Sequence, residues 1–124
     1  MTQARRRLGR QGERRALRHL RRQGLKPIAQ NWSCPGGELD LLAREGETLV
    51  VVEVRTSRAR FAGGAVHTVG PEKRRRIELL TRRWLQRSSW QPQAVRFDVV
   101  AVERRSWWRW EIHWIRGAFE AEEA

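Results

Sequence analysis

The stretch GGELDLLAREGETLVVVEVR, Gly36–Arg55, decides how the chain folds. Two apolar runs flank Glu45-Gly46-Glu47, and valines dominate the second. Side chains on a strand alternate faces with a period of two. A glycine in a two-residue link marks a hairpin. The reading predicts strands over Glu38–Arg44 and Thr48–Arg55. With Gly46 and Glu47 central in a type II′ turn, Asp40 faces Glu53; with Glu45 and Gly46 central, Glu38 faces Glu53. Both registers share one parity. Glu38, Asp40, Glu53 and Arg55 therefore point to one side, and Val50, Val52 and Val54 point to the other, toward a core.

Working outward, the N-terminal side is helical from about Arg5 to Gln23, with Gly24 as its stop. Leu8, Gly12, Ala16, Leu17 and Leu20 sweep one face at about 100° per residue. Glu13 falls inside that apolar arc, and Gly12 beside it would admit another backbone. LKPIAQNW is a short edge strand ending near Trp32, and SCPGG is a turn. On the C-terminal side, Thr56 to Gly70 reads as a loop with Gly63-Gly64 at its flexible point. Pro71 suits the first turn of a second helix that runs to about Arg87. Its apolar face is Ile77, Leu80 and Trp84. Lys73 shares that face, while Arg74 and Arg75 face solvent. Further strands cover Val95–Val102 and about Trp107–Ile115. The order α-β-β-β-α-β-β is that of an α/β or α+β sheet flanked by helices.

The chain has 124 residues, enough for one domain and one core, here assigned to residues 1–119 with 120–124 as an acidic tail. Lys and Arg number 26 against 14 Asp and Glu, a formal net charge of +12. Such a field attracts polyanions, nucleic acid first among them. No stretch approaches the roughly 18 apolar residues of a spanning helix, so no membrane is expected as partner. The basic start leads into no apolar segment of a signal peptide. The single cysteine, Cys34, excludes an intrachain disulfide and a multi-thiolate zinc site, and favours a cytoplasmic home.

Carboxylates converging on one face repel each other, and a divalent cation relieves the repulsion. Mg²⁺ or Mn²⁺ is the expected ion; magnesium is held by one or two carboxylates plus phosphate oxygens. Arg55, two residues beyond Glu53, would sit beside it and stabilise developing phosphate charge. With the basic surface, metal-dependent phosphodiester hydrolysis follows as the expectation.

The chain resembles the YraN family of uncharacterised bacterial proteins over nearly its whole length. The resemblance is carried by Gly9, Gly12-Glu13 and Ala16; Asn31-Trp32; Gly37-Glu38-Leu39-Asp40-Leu41-Leu42; and Val52-Glu53-Val54. It continues through Lys73, Arg76-Ile77, Arg96-Phe97-Asp98-Val99-Val100 and Ile115-Arg116-Gly117-Ala118-Phe119. It implies a restriction-endonuclease-like fold, a central mixed β-sheet flanked by helices, similar to archaeal Holliday-junction resolvases. It also implies that Glu13, Asp40 and Glu53 stand at acidic metal-site positions, and that the molecule works as a homodimer. The family's strand reads Glu-x-Lys, followed two residues on by Arg; here it reads Glu53-Val54-Arg55-Thr56-Ser57. Lysine can lose a proton near a metal and arginine in effect cannot, which makes Lys73 the candidate substitute.

The expectation is a metal-dependent nuclease acting on DNA, branched or flapped forms included, with Glu13, Asp40, Glu53, Arg55 and Lys73 as its catalytic residues. The rivals are a non-catalytic nucleic-acid-binding module and a structural partner of a DNA-processing complex. Arg58, Arg60, Lys73 and Arg74 are the expected nucleic-acid contacts. Bland readings stand beside these: Glu13 pairs with Arg10 or Arg14, Asp98 pairs with Arg96, and Glu38 only positions. Trp107, Trp108, Trp110 and Trp114 read more readily as sheet packing or a dimer surface than as a base-stacking platform. His19, His67 and His113 show no metal-ligand spacing.

Overall fold

A computed structural model describes residues 2–58 and 69–121. The elements are α1 (Gln3–Arg22), β1 (Lys26–Cys34), β2 (Gly37–Glu45), β3 (Thr48–Ser57), α2 (Pro71–Arg87), β4 (Ala94–Arg104) and β5 (Trp110–Phe119). Their order is the expected one. Five strands form one mixed sheet in the order β1-β2-β3-β4-β5. The pairs are antiparallel except β3–β4, which is parallel and is connected through α2.

The hairpin that opened the sequence reading takes the first of its two registers. Glu45 pairs with Thr48 and Leu41 with Val52, so Gly46 and Glu47 are central. Gly46 has φ +60 while Glu47 keeps a negative φ, as a type II′ turn requires. Helix α1 starts when Thr2 Oγ1 accepts the Arg5 N–H at 3.2 Å. It ends in a Schellman motif. Gly24, at φ +97, donates to the Arg21 carbonyl, and Leu25 donates back to Leu20.

Several boundaries differ from the sequence reading; β4 runs on to Arg104 rather than Val102 and β5 to Phe119 rather than Ile115. Strand β1 reaches Cys34 rather than Trp32, with a bulge between Pro27 and Ala29 on this sheet edge. Strand β3 continues two residues into the expected loop, because parallel pairing with β4 persists to Ser57↔Glu103. Strand β5 begins at Trp110, not Trp107. The Arg105 and Ser106 amides donate to the Arg109 carbonyl at 2.9 and 3.2 Å and close a turn there. Gly63-Gly64 lies outside the described residues.

Both faces of the sheet are core. Val50, Val52, Leu41, Val100 and Val102 pack with Ala16 and Leu20 of α1. Leu49, Val51, Leu42, Phe97 and Val99 pack with Ile77 and Leu80 of α2. Burying one such side chain contributes about 1.5–3 kcal/mol relative to leaving it exposed. The side that carries Asp40, Glu53 and Arg55 is therefore a core face as well: Val51, two residues before Glu53, is buried there beneath α2. Arg74 also departs from expectation. It is half-buried, donating to the Val69 carbonyl at 2.9 Å and lying 5.2 Å over the Phe119 ring.

Asp98 has the structural role anticipated for it. Its side chain is buried, and it receives a two-pronged contact from Arg96 at 2.9 and 3.0 Å. Trp114 Nε1 and the Gly117 N–H complete its shell, each at 2.9 Å. This carboxylate ties β4 to the far part of β5, with every lone-pair direction used.

Candidate functional site

Pairing between β2 and β3 runs from Glu45↔Thr48 to Leu41↔Val52. Just past that pair, the Asp40 carboxylate takes the place of a ladder partner: Oδ2 accepts the Val54 N–H at 2.9 Å. A cleft of about 900 Å³ opens at this end of the sheet. Gly9, Glu13, Asp40, Glu53, Arg55 and Lys73 are among its walls. The acids arrive from three elements, α1, β2 and β3, as the sequence reading required.

Gly12 is what lets α1 deliver Glu13. A Cβ on Gly12 would meet Thr56 Oγ1 at 2.0 Å, so helix and strand touch at this point without one. The close neighbour is the Thr56 side chain, where the sequence reading had expected a backbone. Glu13, one residue on, is hydrogen-bonded to Asn31. Burial pushes its carboxyl above the usual range, and the charges of Glu38 and Glu53 push the same way. Arg10 acts on it as a weaker opposing field, so Asn31, not a neighbouring arginine, is its bonded partner. Glu38 is exposed and bears on the cleft as a like charge near Glu13.

Asp40 is the most perturbed acid. Burial first, then the negative charge of Glu53, raise it to about 7. The Val54 N–H and Lys73 oppose the rise, and Glu13 adds to it. Glu53 is 8% exposed and is held between two cations. Lys73 Nζ makes an ion pair with its Oε1, and Arg55 Nη1 stands 3.8 Å from the same oxygen. The two candidate cations therefore converge on one carboxylate. Arg58 also lines the cleft, exposed, while Arg60 lies outside the described residues.

The carboxylates of the cleft offer oxygen donors of the kind a hard cation takes, crowded enough that one carboxyl is driven toward its neutral form, and Arg55, Arg58 and Lys73 stand among them. Among the described residues, Glu13, Asp40 and Glu53 do not bring ligand oxygens within 4.8 Å of one another; the group that does is Glu103, Glu111 and His113. In the cleft, Glu53 is turned to Lys73 and Asp40 to Val54. The second group corrects the expectation that His113 has no metal-ligand spacing. Glu103 and Glu111 are direct cross-strand partners, and His113 lies beside both at 3.5 and 3.7 Å. Arg105 already spans the two acids, at 2.9 Å to Glu111 and 3.5 Å to Glu103. It is an ion-pair network beside the turn of the β4–β5 hairpin.

The four tryptophans between residues 107 and 114 separate into two kinds. Trp110 lies under the guanidinium groups of Arg15 and Arg104, at 4.3 and 5.7 Å, and Trp114 under Arg116 at 3.8 Å. Trp107 and Trp108 stand 79% and 68% exposed. No helix among the described residues is long and apolar enough to cross a membrane.

Residues 12–102 match the family model described as "Uncharacterised protein family UPF0102". A UPF0102 protein of Pseudomonas fluorescens is 42% identical over 114 residues, 91% of this chain and 93% of its own length. A UPF0102 protein of Herminiimonas arsenicoxydans is 42% identical over 118 residues, 95% of this chain and 90% of its own length. One from Pseudomonas aeruginosa is 44% identical over 115 residues, with 91% and 92% covered. The matched span holds Gly12, Glu13, Asp40, Glu53 and Lys73.

Proposed function

The chain belongs to the uncharacterised protein family UPF0102, and from that premise we propose that it is a metal-dependent nuclease hydrolysing DNA phosphodiester bonds. We assign the mixed sheet to the restriction-endonuclease-like fold. The convergence of Glu13, Asp40 and Glu53 in one cleft beside Arg55 and Lys73 carries this reading. The formal net charge of +12 supports a polyanionic substrate.

Asp40 and Glu53 would hold Mg²⁺ or Mn²⁺, with Glu13 as a third ligand or an orienter of water. When bound, such an ion neutralises the crowded carboxylates, polarises a phosphoryl oxygen and lowers the pKa of water. The protein's own groups supply the rest. An ion ligated by Glu53 would compete with Lys73 for the same carboxylate and weaken that ion pair, leaving Lys73 Nζ able to turn to a phosphate oxygen. The Arg55 guanidinium would serve as a counter-charge for the phosphate. The N-terminal turn of α1, with Thr2 and Arg5 on the cleft wall, adds positive potential on the same side. Glu13, with its raised affinity for a proton, is placed to exchange one with water in the cleft.

The test is nicking of linear, branched and flapped DNA with Mg²⁺ or Mn²⁺ against EDTA. Cleavage that needs the ion and disappears in both Asp40→Ala and Glu53→Ala supports the reading; ion-independent loss of DNA integrity refutes it. Arg55→Lys asks what that position does. A rise in rate assigns a proton transfer to the lysine that Arg55 replaces, and an unchanged rate assigns charge stabilisation alone.

A second reading, a non-catalytic DNA-binding module, is favoured by Arg55 itself and by the hold of Lys73 on Glu53. On that reading no ion-dependent cleavage is seen, and Asp40→Ala tightens DNA binding by removing a repulsive charge.

A further inference from the structure

The β4–β5 connection has an ordered shape. Besides the two amide bonds to the Arg109 carbonyl, the Ser106 hydroxyl oxygen accepts the Arg109 N–H at 3.1 Å. Arg104 Nε reaches the Ser106 carbonyl at 3.4 Å. This turn carries the consecutive residues Trp107 and Trp108, 79% and 68% exposed. Each indole is a large apolar surface, and leaving two together in water forgoes the burial that Trp110 and Trp114 find under arginines. The segment around them, ERRSWWRWE, carries three arginines and two glutamates; Arg105 and Arg109 are paired with Glu111, and Arg109 stays 61% exposed while so held.

The sheet register places this turn. Parallel pairing sets Arg55 opposite Ala101 and Ser57 opposite Glu103. Arg55, Ser57 and Arg58 line the acidic cleft. The hairpin tip therefore leaves the sheet at the same end as the cleft, one strand over from β3. A polyanion held along Arg55 and Arg58 continues naturally toward Arg104 and Arg109.

We propose that Trp107 and Trp108 form a stacking platform for unpaired bases, making single-stranded or flapped DNA, rather than plain duplex, the ligand of this end of the molecule. The proposal rests on the nuclease reading for where the strand lies, but not on cleavage itself. Aromatic faces accept any unpaired base, while bases inside a duplex are already stacked on each other. Flanking arginines hold the phosphates, and the two indoles distinguish an open strand from a closed one. The match to the UPF0102 family model ends at residue 102, before this tip.

The experiment measures anisotropy of a labelled single strand and of a blunt duplex of equal length, in EDTA and at about 0.15 M salt. Wild type is compared with Trp107→Ala/Trp108→Ala and Trp107→Phe/Trp108→Phe, and melting temperature is recorded for each. The alanine pair weakens single-strand binding by about 5- to 150-fold per indole, leaves duplex binding within roughly twofold, and melts like wild type. The phenylalanine pair keeps most of the single-strand affinity, since a ring remains to stack. Equal loss on both DNAs, or no loss on either, overturns the proposal. So does an indole blue shift on phosphatidylglycerol vesicles without single-strand discrimination, which assigns the tip to an anionic membrane. Ion-dependent cleavage with no effect of the tip variants removes the platform and leaves the nuclease. Tip-dependent discrimination without cleavage does the reverse.

Discussion

Asp40→Asn should make the protein more stable above neutral pH and leave it unchanged in acid. The folded state raises Asp40 from 3.8 to about 7. Between those values the folded chain holds a proton that the unfolded chain has released. Stability then falls as pH rises through that window and levels off above about 7. At about 1.4 kcal/mol per pH unit, the full cost of carrying the charge is about 4 kcal/mol. Water in the open cleft screens part of it, so the expected gain on substitution is about 2–4 kcal/mol at pH 8. The amide oxygen of asparagine can still accept the Val54 N–H that Asp40 binds at 2.9 Å, which keeps the backbone contact. Urea unfolding followed by circular dichroism at pH 4, 6 and 8 in EDTA checks this. The two proteins should coincide at the lowest pH and diverge steadily upward. A difference independent of pH, or a variant less stable at pH 8, refutes the charge-crowding argument. Mn²⁺ should raise the wild-type midpoint at pH 8 and raise that of Asp40→Asn less, because binding to the folded state alone stabilises it.

Two further outcomes follow from packing and from buried charge. Gly12→Ala should lower stability by about 1–3 kcal/mol despite alanine's better helix propensity, because its Cβ meets Thr56 Oγ1 at 2.0 Å. Adding Thr56→Ala should restore only part, since the Thr56 Cβ stays 2.8 Å away; thermal melts of both variants measure it. Asp98→Ala should cost about 3–5 kcal/mol in chemical unfolding, because Arg96, Trp114 Nε1 and the Gly117 N–H lose one shared acceptor.

Much of the site was legible because parity is local. Asp40, Glu53 and Arg55 all reach one cleft, and the period of a strand settles that whichever turn joins β2 to β3. Glu13 was legible as a carboxylate out of place on an apolar helical stripe. Less legible were the partners. Lys73 was placed on the inward face of α2, yet nothing in the spacing joined it to Glu53 as an ion pair. Asn31 was missed as the partner of Glu13, because a side chain on an edge strand carries no pattern that points to a helix. Arg74 was read as solvent-facing, and the Val69 carbonyl and the Phe119 ring draw it in. The cluster of Glu103, Glu111 and His113 needs the register of β4 against β5, which no run of residues reveals.

From the amino-acid order alone came the number and kind of elements, their succession, the acids sharing a strand face, and the strongly basic net charge of +12. Those follow from periodicity and charge, which act between near neighbours or over the whole chain. Tertiary structure alone decided that the β2–β3 hairpin takes the register in which Leu41 pairs with Val52, that both sheet faces are covered, and that Trp107 and Trp108 remain in water. Those choices depend on groups far apart in the chain. They are settled only when turn geometry, strand register and helix packing are satisfied together.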